Sequence, residues 1–242
     1  MMNPRLHDRI WRVSPKMVFI IDYGLDFAIS RRYFKSMGYV DAPKVDMNKY
    51  KGEFDTILGN IAPYRKLPLS GLHQRLDGTN TTIAGLYTYA LIREKRPKII
   101  LETGIGYGYM SAVILEALNK NKYGQLYSTD VLGEVGIMTW ATDKSRWHKI
   151  IGKPKTVFRD ALKEVKGKID MFIHDSDHSY QNMKYEFNAA YPRMSRNGWI
   201  LSDDIIINDA YIEFCKKIGA KQSALYEPSK LYGVIDLSEV IE

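Results

Sequence analysis

The chain has 242 residues, 45% of them hydrophobic and 26% charged, the proportions of an ordinary soluble globular protein and not of a disordered or collagen-like one. A formal net charge of +7 keeps nucleic acid among the partners to consider, yet the basic residues are spread out instead of forming one stripe. A single cysteine, Cys215, excludes an internal disulfide framework, suits a reducing compartment, and reads as core filler in the helical stretch DAYIEFCKKIG.

The chain opens MMNPRLHDRIWRVSPK, without the apolar core or small-residue cleavage site of a secretory signal. The most apolar early run, Met17 to Ile29, is broken by Asp22, Gly24 and Asp26. It is too short and too charged to span a bilayer, so no transmembrane segment and a cytoplasmic location are expected. Residues 1–77 lack strand–helix alternation, mix aromatic with basic residues, and are punctuated by Pro43, Pro63 and Pro68. They read as a helical N-terminal extension or cap, set before a domain at 78–242. Within that domain TNTTIAGLYTYALIREK predicts a helix capped at Thr79 or Asn80 and stopped by Pro97.

Lys98 to Gly108, KIILETGIGYG, is an apolar run that ends in an acid and opens into alternating glycines. Gly104, Gly106 and Gly108 let the backbone turn sharply and approach a ligand where a Cβ would obstruct it. The segment that follows has apolar residues at helical spacing, Met110, Val113, Ile114, Ala117 and Leu118. The loop therefore feeds a helix N-terminus, with free N–H groups and a positive dipole end. Strand, glycine loop and helix in that order form a nucleotide-type cofactor site. The next strand, GQLYSTD, ends in Asp130, close to the spacing at which a Rossmann-like site sets a carboxylate on ribose hydroxyls.

Beyond Asp130, Trp140 and Trp147 stand two helical turns apart and predict a helix packed on the sheet, with Arg146 and Lys149 on its solvated face; the alternative is that one indole stacks near the adenine or guards the acceptor pocket. A third strand is expected after it, followed by TVFRDALKEV with Asp160. Further on, Met171 to Ile173 reads as a short buried strand, Tyr180 to Ala190 as a helix, and Trp199 to Ser202 as a strand after a turn at Asn197–Gly198. Two more strands, Ser223 to Tyr226 and Leu231 to Ile235, complete the sheet.

Both middle strands end in acids, so in a parallel α/β sheet Asp175, Asp177, Asp203 and Asp204 converge beside the glycine loop. Four carboxylates together repel one another unless a cation or a proton intervenes. Oxygen ligands suit magnesium, manganese or calcium, and one cysteine with dispersed histidines argues against structural zinc. The alternative is that some of these acids cap helices.

The GxGxG spacing after an acid resembles motif I of class I S-adenosylmethionine-dependent methyltransferases. That resemblance implies a Rossmann-like three-layer α/β sandwich with a seven-stranded, mostly parallel sheet. It also implies that Glu102 holds the methionine end of the cofactor, Asp130 the ribose, and that Asp160 lies by the adenine. HDSDHSY followed by GWILSDD is similar to the methyltransferase group with a D-G-D-H-S-Y motif and a later D-D pair, which includes metal-dependent O-methyltransferases acting on sugars of natural products. The likeness covers about Thr79 to Asp204. It implies that Asp175, Asp203 and Asp204 hold a divalent ion, with Asp177 the general base and His178 its competitor. Ser176 replaces the usual glycine of that motif, and Met110 stands where many relatives carry a hydroxyl.

The expected function is methyl transfer from S-adenosylmethionine to a hydroxyl of a small sugar-like or natural-product acceptor, assisted by the ion. An RNA methyltransferase and a cofactor-binding, non-catalytic subunit are the alternatives. A homodimer through the N-terminal segment is expected by analogy.

Overall fold

The computed structural model describes residues 27–66, 82–154, 156–226 and 230–240. In chain order its elements are α1 (Phe27–Ser36), β1 (Val40–Asp41), α2 (Met47–Ile61), α3 (Thr82–Lys95), β2 (Ile99–Thr103), α4 (Tyr109–Asn121), β3 (Gln125–Asp130), β4 (Trp147–Ile151), α5 (Val157–Glu164), β5 (Ile169–His174), α6 (Tyr180–Ala190), β6 (Met194–Ser202), α7 (Ala210–Ile218), β7 (Ser223–Tyr226) and β8 (Leu231–Asp236). Short 3₁₀ turns follow α2, α6 and β8, and one lies between β3 and β4 at Ile137–Ala141. No described helix is long and apolar enough to cross a membrane.

The strands form one sheet in the order β1-β7-β8-β6-β5-β2-β3-β4. Only β8 runs antiparallel to its neighbours. The central strands are buried on both faces, which is why they read as continuous apolar runs. Their side chains nevertheless alternate between two layers. Ile100, Met171, Ile173, Leu201 and Val234 pack with α2, α3 and α4. Ile99, Leu101, Phe172, Ile200 and Ile235 pack with α5, α6 and α7. A Rossmann-like three-layer sandwich results, and Cys215 is buried in its second layer.

The structure corrects the sequence reading at two places. The sheet has eight strands instead of seven, because Val40–Asp41 pairs in parallel with β7. The Val40 N–H donates to the Gln222 carbonyl and the Ala42 N–H to the Ala224 carbonyl, which covers the otherwise open edge of β7. The expected helix carrying Trp140 and Trp147 is absent. Trp140 lies in a 3₁₀ turn and is 62% exposed, whereas Trp147 and Lys149 belong to β4. Two β-branched residues, Ile150 and Ile151, and the pairing of β4 along β3 outweigh the chance helical spacing of the two indoles. The segment holding Asp160 is accordingly a helix, α5, directly after this third strand.

The described part of the N-terminal segment is joined to the sheet and core. Tyr50, Phe54, Ile57 and Ile61 of α2 are buried in the same cluster as α3 and α4. Asp46 caps α2, its carboxylate accepting the Lys49 N–H at 3.1 Å. The caps expected at Thr79 and Asn80 lie outside the described residues.

Candidate active site

From β2 the chain steps outward to β3 and β4, then returns to β5 on the other side of β2. That reversal falls between β2 and β5, and in open α/β sheets ligands bind in the crevice outside the C-terminal ends of strands at such a point. Backbone pairing continues past the strand ends: the Gly104 N–H donates to Thr129, Asp175 to Thr103 and Asp203 to His174, each at 2.9 Å. The glycine loop and the acidic termini of β3, β5 and β6 therefore share one edge.

The loop's glycines have different jobs, although all three have positive φ. A Cβ at Gly104 would lie 1.9 Å from the Asp175 carbonyl oxygen, and one at Gly108 2.6 Å from the Gly136 Cα. Those two glycines let backbone segments touch. At Gly106, in contrast, a Cβ would meet nothing within 4 Å, so this residue borders open space at the crevice.

Glu102 is fully buried. Ser111 and Ser128 each donate a hydroxyl to its Oε2 at 2.6 Å, and the Trp147 indole N–H donates to Ser128 at 2.9 Å. Its other oxygen, Oε1, is buried without a hydrogen-bond partner among the described residues. Burial pushes the carboxyl up to about 7, against the two serine hydrogen bonds. Asp130 takes a role the sequence did not disclose. Its Oδ2 accepts the N–H groups of Ile105 and Gly106 at 2.9 and 3.0 Å, and its Oδ1 accepts Leu132 at 2.9 Å. It thereby holds the loop's shape, with about one of a carboxylate's four lone-pair sites left over. Asp160 sits in the first turn of α5, exposed, with its carboxylate bonded to Lys163 at 3.3 Å.

Of the four acids expected to converge, the structure groups Asp175 and Asp203 with His178: one potential ligand atom from each lies within 4.8 Å of the others. His178 Nε2 is 3.8 Å from Asp175 Oδ1, and it is buried without a hydrogen-bond partner among the described residues. Burial, then the neighbouring His174, pull its imidazole down to about 4, so it is neutral at neutral pH. Asp175 is held well above the usual carboxylate range by burial and by Asp203. Asp204, at a left-handed φ of 48°, is raised to about 6 by burial and Asp203.

Asp177 is placed apart from this group. Its two oxygens accept the backbone N–H and hydroxyl of Ser179 at 3.0 and 2.9 Å. Ser179 in turn caps α6 through the Asn182 N–H. The helix-start role weighed for such acids from the sequence describes Asp177.

Two groups escaped sequence reasoning. Beneath His178, Glu186 is buried on α6 and accepts bonds from Thr103 and Ser176, while His174 contacts it at 2.8 Å. Lys230, 26 residues beyond Asp204, places its ammonium 2.7 Å from Asp203 Oδ1 and 2.8 Å from Oδ2. Nothing local in the sequence marks this lysine, because only the antiparallel return of β8 beside β6 brings it to the crevice.

Residues 101–205 match the family model of a methyltransferase domain. No curated protein matches the chain in sequence. Among solved structures, an O-methyltransferase from Bacillus cereus in complex with S-adenosylhomocysteine is 15% identical with a TM-score of 0.54, covering 80% of this chain and 92% of its own. An O-methyltransferase of tomaymycin synthesis from Streptomyces achromogenes, in complex with S-adenosylmethionine, is 14% identical with a TM-score of 0.55, covering 84% and 92%. A methyltransferase from Podospora anserina bound to S-adenosylhomocysteine is 16% identical with a TM-score of 0.55, covering 86% and 94%.

Proposed function

We propose that the chain is a class I S-adenosylmethionine-dependent methyltransferase, a reading supported by the methyltransferase-domain match over residues 101–205 and by the shared fold, and that it methylates a hydroxyl of a small acceptor with the help of a divalent cation. The observation that carries this reading is the adjacency of two unlike half-sites. The open glycine loop with Glu102 and Asp130 lies at the ends of β2 and β3, and the Asp175–His178–Asp203 group lies at the neighbouring ends of β5 and β6.

On the cofactor side, Gly106 offers unobstructed backbone, Asp130 a remaining acceptor position for ribose, and Glu102 an unpartnered buried oxygen. Exposed Val131, directly after β3, offers apolar surface for the adenine. S-adenosylmethionine, when bound, supplies a methyl group already activated on a sulfonium. What remains for the protein is to align an acceptor oxygen with it and remove that oxygen's proton.

His178 is the residue we assign as proton acceptor, because it is neutral and its Nε2 is unspent, whereas both oxygens of Asp177 are engaged with Ser179. The carboxylates of Asp175 and Asp203, grouped beside His178, are oxygen donors that fit a hard divalent cation, which leaves the His178 Nε2 for the proton. Asp175 and Asp203 would hold it, with Asp204 next to them, and such an ion lowers the pKa of a hydroxyl it binds. We also assign acceptor choice to residues 1–77, and a cytoplasmic setting in keeping with the lone Cys215.

Transfer of label from S-adenosylmethionine to a library of hydroxylated small molecules, run beside RNA and DNA and with or without chelator, tests the reading. Labelled small-molecule ethers that disappear with chelator and return with magnesium or manganese are the expected result. Label in RNA alone would establish the nucleic-acid alternative, and cofactor binding with no transfer to any acceptor would favour the non-catalytic one.

A further inference from the structure

Lys230 and Asp203 form a nearly dry ion pair at the centre of the acidic group. Asp203 is 7% exposed, and the ammonium spans both of its carboxylate oxygens at 2.7 and 2.8 Å. The influence of Lys230 extends past this partner, since it acts electrostatically on Asp175, Asp204 and His178 as well. A positive charge thus already occupies the centre on which the carboxylates converge.

Two cations cannot share one carboxylate in a poorly solvated crevice without strong repulsion, because charges a few ångströms apart there are weakly screened. A divalent ion on Asp175 and Asp203 must take at least one Asp203 oxygen, and both lie against the ammonium. We propose that Lys230 is a built-in competitor for the cation site, the ammonium and a divalent ion alternating on Asp203, so that Lys230 sets how tightly this protein binds metal. This inference rests on the metal reading of the Asp175–His178–Asp203 group given above. In the resting protein the lysine neutralises Asp203, which would otherwise be a buried and unpaired charge. When an ion enters, it does so by releasing the ammonium from that carboxylate.

The test is manganese binding to the full chain, followed by the electron paramagnetic resonance of free Mn²⁺, with folding checked by circular dichroism. Lys230→Met should bind Mn²⁺ at least about tenfold more tightly than the unaltered chain. Lys230→Arg, which keeps the charge, should stay within about threefold. Adding Asp203→Asn to Lys230→Met should abolish the gain, which places the ion on that carboxylate. If Lys230→Met folds poorly without metal, Lys230→Gln takes its place, and added Mn²⁺ should raise the melting temperature of either neutral variant more than that of the unaltered chain. Measurable but equal affinity in unaltered and neutral variants overturns the competition and leaves the metal reading standing. Absence of Mn²⁺ binding in every folded variant overturns the metal reading and the competition with it.

Discussion

Asp130 and Gly106 are joined by a 3.0 Å hydrogen bond from the glycine N–H to Oδ2, an oxygen that also accepts the N–H of Ile105. The carboxylate that we propose as the ribose ligand thus also anchors the glycine loop. Replacing it with alanine frees three backbone donors, those of Ile105, Gly106 and Leu132, and on the proposed reading removes the ribose acceptor as well. Asp130→Ala should therefore weaken S-adenosylmethionine binding by about 1.5–3 kcal/mol, the range for charge-assisted hydrogen bonds. Asp130→Asn keeps one acceptor oxygen for the loop and should lose less. Calorimetry on the two variants checks the order, and equal affinity in Asp130→Ala and the unaltered chain would remove Asp130 from the cofactor site.

The glycines give a sharper separation of structure from ligand contact. Gly106→Ala meets no neighbour, so its cost to stability should be limited to the left-handed backbone, about 1–2 kcal/mol. Its cofactor affinity should nevertheless fall more than its stability does, because the new methyl group enters the crevice. Gly104→Ala adds a collision with the Asp175 backbone and should fail to fold or melt far lower. Thermal melts beside cofactor titrations decide; normal cofactor binding in Gly106→Ala would show that the ligand lies elsewhere.

Glu102 makes stability depend on pH in a predictable direction. Its carboxyl is raised from the ordinary 4.5 to about 7, so between those values the folded chain holds a proton that the unfolded chain has released. Stability from this group is complete below about 4.5 and is lost as pH rises through 7. Its size is on the order of 3 kcal/mol, from 1.36 kcal/mol per unit. Glu102→Gln keeps an acceptor for Ser111 and Ser128 but cannot ionise. The stability gap, variant minus unaltered chain, should thus widen in favour of glutamine between pH 5 and 7.5 in urea unfolding. Taking the difference matters, because His178, depressed to about 4, contributes the opposite slope in both proteins. A constant gap across that range would show that Glu102 is ionised throughout.

His178 and Asp177 should separate cleanly. His178→Ala should lower turnover by about a hundredfold to ten-thousandfold with cofactor affinity unchanged. Asp177→Ala should cost about 1 kcal/mol of stability through the start of α6 and leave turnover within a few fold. Steady-state rates and melting temperatures of both variants check this, and the reverse pattern would return the base to Asp177.

Much of this was legible in the chain itself. The run Ile99 to Gly108, with its acid and glycines, fixed a strand, a tight loop and a helix, because apolar periodicity and positive φ are local properties. Strand ends at Asp130, Asp175 and Asp203 could be read the same way, and parallel pairing then required them to share an edge. Local reasoning failed where two conformations had similar local support: Trp140 and Trp147 fit a helix by spacing, but pairing with β3 drew Trp147 into a strand. Val40–Asp41 is too short to signal a strand, and it becomes one only because β7 offers an open edge. The contacts within the acidic cluster were decided by tertiary structure alone. Asp177 turned to Ser179, His178 moved beside Asp175 and Asp203, and Lys230 arrived from just before β8 to neutralise Asp203. Residue type and spacing settle which groups reach an edge of the sheet; which of them face one another, and which are already satisfied, depends on burial and on partners distant in sequence.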